Sequence, residues 1–229
     1  MEYLIIALFL IIILVVLGIV FKYDIKKIKK IAESKELDLI SSEYPSNKEI
    51  CTAYLEILDN RDVKIEEDDQ ANNCLYIAIS NKILIANMRN SYTRIQTIAH
   101  ECIHSVQDKT LLMFNFIFSN IYLIYFVLIA ILGICGIISN KIVFLSILFT
   151  FSMIYLIVRI YLENDAMIKA KYLAKEYMEA NLFASKEENK KIIDKFDSIN
   201  KLGIKSMVYN LFMNCIIKII IICVIFGIF

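Results

Sequence analysis

Near the middle of the chain, Thr97-Ile-Ala-His-Glu-Cys-Ile-His-Ser-Val-Gln107 sets two histidines four residues apart, with a glutamate directly after the first. On a helix, positions i and i+4 share a face, so the imidazoles of His100 and His104 can point at one metal ion. Glu101 sits about 100° round the axis, where it reaches a water on that ion rather than the ion itself. Peptide-bond hydrolysis by zinc needs this set: a metal to acidify water and polarise the carbonyl, and a carboxylate to carry the proton to the leaving amine. His100 and His104 are the only histidines present, and random placement would give this pattern on the order of one time in two thousand, before any demand for a helix. The competing reading is a pair of ordinary helix histidines satisfied by local hydrogen bonds.

A catalytic zinc needs a third protein ligand and an open position. With no third histidine, that ligand is a carboxylate or a thiolate. Glu163 is the candidate, at the start of a helix that follows an apolar hairpin. A second role is open to it, as an acidic residue at a helix N-terminus paired with Arg159. Asp165, about 200° further round a regular helix, does not share the same ion. Cys102 points away from the ligand face and reads as core. Gln107 and Asp108 either steady an imidazole or form a polar helix end. The short strand 83–86, just before the motif, either receives an extended substrate by strand addition or is an ordinary edge strand. Any oxyanion donor must be a Tyr, an Arg or a backbone N–H.

The elements that must position these residues include several apolar runs. The chain has 229 residues and is 59% hydrophobic, against about 45–50% in soluble domains. Residues 3–21 form one unbroken apolar stretch, long enough to span a bilayer. It lacks a positive start and a small-residue cleavage site. Lys22, Lys26, Lys27, Lys29 and Lys30 follow it instead, which predicts a retained anchor with its C-terminal side in the cytoplasm. Runs at 112–132 and 142–158, joined by an outside turn at 133–141, predict a hairpin, and 207–229 a fourth span. Lys218 interrupts that span and either snorkels to an interface or faces the bundle. Between the runs, Ser46-Asn47-Lys48-Glu49 predicts a capped helix to about residue 58. Short strands are predicted at 63–67, 74–79 and 83–86, the motif helix from about residue 91, and further helices at 163–184 and 187–199.

The expected fold is a mostly α membrane protein of about four transmembrane helices with a small α+β cytoplasmic, zincin-like catalytic domain. Its parts are an anchor at 1–22, the catalytic region at 23–110, a hairpin at 111–160, cytoplasmic helices with the third ligand at 161–206 and a last span at 207–229. The hairpin goes out and back, so residue 163 emerges on the same face as residue 110.

A net charge of +1 gives no field for nucleic acid. The six scattered cysteines contain no C-x-x-C pair and suggest neither a disulfide framework nor a thiolate site. The few polar residues of the middle spans (Asn115, Ser119, Asn120, Ser146, Thr150 and Ser152) read as helix contacts and argue against a transport component. The expected partners are the lipid bilayer and a protein or peptide substrate. The rival from another class is an inactive membrane scaffold that keeps a structural metal.

Three stretches also carry a family likeness. The first is Asn47-Lys-Glu-Ile-Cys-Thr-Ala-Tyr-Leu-Glu-Ile-Leu58 followed by Asp62-Val-Lys-Ile-Glu66. The second is Ala99-His-Glu-Cys-Ile-His-Ser-Val-Gln-Asp108, and the third is Glu163-Asn-Asp-Ala166. In that order the chain resembles the neutral zinc metallopeptidases of bacterial membranes, the YugP-like family, with its A-H-E-x-G-H-A-I-Q and E-F-D-A motifs. The likeness covers nearly the whole chain. It implies one zinc ion per chain held by His100, His104 and Glu163, with Glu101 catalytic. It also implies distant kinship with HtpX-type and prenyl-protein membrane proteases. Ile103 stands where the family has Gly, and Met167 where the distant relatives carry an Asp. A supporting carboxylate must then come from elsewhere, with Asp165 as the candidate if the helix is irregular.

Overall fold

A computed structural model describes residues 1–21, 25–71, 73–88, 91–181 and 183–229. Lys22 of the basic flank lies outside the described residues, as does the side chain of Lys29. The described chain is mostly helical, with eight α-helices and one small sheet. The order is α1 (Glu2–Val20), α2 (Ile25–Ala32), α3 (Lys35–Ser42), α4 (Asn47–Ile57), β1 (Lys64–Asp68), β2 (Leu75–Ile77), β3 (Lys82–Ala86), α5 (Arg94–Val106), α6 (Lys109–Ile134), α7 (Lys141–Ala180) and α8 (Lys186–Ile228). Helices α1, α6, α7 and α8 are long and apolar enough to cross a membrane, with mean hydropathies of 3.4, 2.4, 2.3 and 2.7 over their best stretches.

Two expected boundaries are corrected. Glu163 does not begin a helix: α7 runs unbroken for 40 residues, because residues 141–180 contain no Gly or Pro to end it. The reading of Glu163 as an N-terminal acidic residue therefore falls. Likewise, 187–199 and 207–228 belong to the single 43-residue helix α8. Gly203 within it weakens the helix by about 1 kcal/mol relative to Ala, too little to stop it. The helices α2 and α3 were not foreseen.

The chain divides into two compact units. One comprises 1–23, 114–161 and 205–229. Its interior is built from Ala7, Tyr122, Leu148, Cys215, Ile222 and Phe226, among others. Helix α6 ends in a Schellman turn: Gly136 takes a φ of +67°, Ile137 N–H reaches Leu132 O and Gly136 N–H reaches Gly133 O. Lys218 faces the interior of this unit, its Nζ 4.3 Å from the centre of the Tyr122 ring and 6.0 Å from that of Tyr155. Ser152 bridges helices by its 2.8 Å bond with Tyr122 OH. Ser119, Asn120 and Thr150 bond carbonyls of their own helices.

The other unit comprises 24–113 and 162–204. Its sheet has the order β1-β3-β2, with β1 parallel to β3 and β2 antiparallel to it, Tyr76 opposite Ile83. This overturns β3 as an edge strand. The alternating buried residues Ile83 and Ile85 put it in the middle, and both its flanks are paired. A substrate strand cannot add there.

Candidate metal centre

Helix α5 is amphipathic: Ile95, Ile98, Ala99, Cys102 and Ile103 are buried on its core face. Tyr54 of α4 donates from its hydroxyl to Ile95 O. At the first turn, the guanidinium of buried Arg94 makes five hydrogen bonds: to Ser41 Oγ and O, Tyr44 O, Pro45 O and Asn47 Oδ1. They tie the α3–α4 connection to the start of the motif helix.

The opposite stripe of α5 is polar, and His100 and His104 lie on it. Their Nε2 atoms are 3.0 Å apart. Glu163 of α7 joins them, with Oε2 3.4 Å from His100 Nε2 and Oε1 3.8 Å from His104 Nε2. These three residues could hold a metal ion, their ligand atoms lying within 4.8 Å of one another. Ligand atoms about 2.0–2.1 Å from a tetrahedral zinc are roughly 3.3 Å apart; the two Nε2 atoms are 3.0 Å apart and each has a different Glu163 oxygen at 3.4 or 3.8 Å, so these donors suit such an ion. Two imidazoles and one carboxylate are also ligands that zinc accepts in sites with an open fourth position.

Glu101 is buried, 7% exposed, and stands outside this ligand set. Its Oε2 accepts the Tyr76 N–H of β2 at 2.7 Å. Tyr76 was not singled out from the sequence, and no side-chain pattern could have revealed it, because the contact is made by its backbone.

The structure separates Gln107 from Asp108. Gln107 Oε1 lies 2.8 Å from His104 Nδ1, and Gln107 Nε2 donates to Leu162 O and to Asp165 Oδ2, both at 2.9 Å. Asp108 instead accepts from Leu111 N–H at the start of α6. Asp165 reaches the site through the Gln107 amide, without any irregularity in α7. Burial raises the Asp165 carboxyl, but hydrogen bonds from Lys169 and Gln107 outweigh it and hold the group below the usual carboxylate range. Met167 supports the site through its backbone: Asn200 of α8 donates to Met167 O at 3.0 Å and accepts from Gln96 of α5. That strut joins three helices around the ligands. Gln96, His100, His104 and Gln107 follow one another at helical spacing, a polar stripe that could have been read in advance beyond its two histidines.

The thiols stay out of the site. Cys102 and Cys51 are fully buried, with Sγ atoms 3.7 Å apart. Burial pushes the Cys74 thiol up to about 11 and Cys102 well above its ordinary value, which keeps both neutral. No family model, curated protein or solved structure matches the chain.

Proposed function

We propose that this chain is a membrane-embedded zinc metallopeptidase that hydrolyses peptide bonds of membrane-associated proteins or peptides. The observation that carries the reading is the convergence of His100, His104 and Glu163, whose ligand atoms lie within 4.8 Å of one another, with Glu101 buried one residue along the same helix. A zinc ion held by the first three supplies an electrophile for the carbonyl and lowers the pKa of a water. Glu101 is the base: it takes the proton and returns it to the leaving amine. The Tyr76 N–H at 2.7 Å orients that carboxylate. The likeness of three segments to the YugP-like membrane peptidases supports the same roles, and with them a zincin-like unit.

The membrane setting is supported by helices that are apolar all round. Ile5, Phe9, Ile124 and Ile157 are each more than 60% exposed, a surface suited to lipid and not to water. The lysines after α1 favour a cytoplasmic site.

The test is metal analysis of the purified full chain together with cleavage of an unfolded protein, with and without chelator. Glu101→Gln should keep one zinc per chain and lose about 10²- to 10⁴-fold in turnover. His100→Ala and Glu163→Ala should lose the metal. Full occupancy in Glu163→Ala would remove it from the ligand set, and a zinc-loaded wild type that cleaves nothing would favour the scaffold.

A further inference from the structure

Gln107 touches a candidate ligand and, at the same time, the turn of α7 that bears another. It stands where α5 stops: its backbone is extended, with ψ 164°, and its side chain reaches three groups. Two of them, the Leu162 carbonyl and the Asp165 carboxylate, lack a hydrogen to donate. The amide must therefore turn its NH₂ toward them. The reverse orientation would set Oε1 against two acceptors and leave the NH₂ facing His104.

That bookkeeping reaches the imidazole. With Oε1 presented to it at 2.8 Å, His104 must donate from Nδ1. A neutral ring carrying its proton on Nδ1 has a free lone pair on Nε2, the atom that faces His100 and Glu163. In water the neutral imidazole prefers the other tautomer, with the proton on Nε2 in the way of a cation.

We propose that Gln107 is a positioning residue with two linked tasks. It holds His104 in the Nδ1–H form required of an Nε2 ligand, and it fastens that ring to the α7 turn carrying Glu163. The proposal rests on the metal-site reading above. It also accounts for the place of Asp165, which steadies the amide from 2.9 Å. The amide relays the orientation set by the carboxylate to the ring.

Because the chain has only two histidines, its imidazole signals are simple to separate. Nitrogen-15 histidine spectra of the metal-free full chain in detergent should show one ring as the Nδ1–H tautomer. Gln107→Leu should convert it largely to Nε2–H. Gln107→Glu keeps an acceptor for Nδ1–H and should preserve the signature, while losing both donors to α7. Zinc affinity, measured by chelator competition, should fall about 10- to 100-fold in Gln107→Leu. The tetrahedral Co²⁺ absorption of the wild type should weaken in parallel. If neither ring is Nδ1–H in the wild type, or if Gln107→Leu binds zinc as tightly as the wild type, the proposal is overturned and the metal site stands. A wild-type chain that takes up neither Co²⁺ nor Zn²⁺ overturns the metal reading itself, and with it any service of the bridge to a ligand.

Discussion

Arg94 anchors the first turn of the motif helix to the α3–α4 connection. It is 3% exposed, and its fork binds the carbonyls of Ser41, Tyr44 and Pro45 at the bend after α3. Removing the guanidinium strands several buried acceptors, each worth about 1–3 kcal/mol. Arg94→Met is therefore expected to destabilise the protein by about 3 kcal/mol or more. Arg94→Lys should recover little, since an ammonium on a flexible stem cannot reproduce a planar fork. Chemical denaturation of the purified variants measures this, and a lysine variant as stable as the wild type would refute the account. At the same scale the cysteines are quiet, because burial holds Cys74 and Cys102 as neutral thiols.

Two helix starts share one device. Ser46 and Glu49 form a reciprocal capping box at α4, and Ser185 with Glu188 repeats it at the start of α8. Replacing either serine by alanine is expected to cost about 1 kcal/mol. The serine hydroxyl, and then its N–H, holds the carboxyl of Glu49 below its ordinary value, and the same is true of Glu188. A lowered folded-state value means that the stabilisation is complete above the ordinary glutamate pKa, about 4.3, and is lost as pH falls through the folded value. Thermal melting should therefore show a Ser46→Ala, Ser185→Ala double variant clearly weaker than the wild type near pH 7. That deficit should shrink below about pH 4, and a deficit independent of pH would contradict the box. Further along, α7 and α8 continue for 40 and 43 residues.

At the scale of the whole molecule, the proposed topology puts the Schellman turn between α6 and α7 outside the cell. Cys135 lies in that turn and is exposed, whereas Cys51, Cys74, Cys102, Cys215 and Cys223 are buried. A membrane-impermeant maleimide added to intact cells should label the protein once, at Cys135, and Cys135→Ser should abolish the labelling. Labelling that appears only after permeabilisation would reverse the topology and place the site outside.

Local chemistry was legible in the residues alone. The histidine spacing, the apolar runs, the Ser46 cap and the three β-prone segments each depend on neighbours within a turn or a few residues, so periodicity and capping rules reach them. Other features join segments 25 to 104 residues apart and could not be read this way: Tyr76 N–H on Glu101, Gln107 on Asp165, and Gln96 on Asn200. Strand order belongs with them. β3 reads as an edge until β1 and β2 are seen to take its two flanks. The sequence could nominate Glu163, but only packing of α7 against the end of α5 brings its carboxylate within 3.4 Å of an imidazole. Which distant groups meet is decided by how whole helices bury their faces, and that balance is spread over too many residues for any one motif to carry.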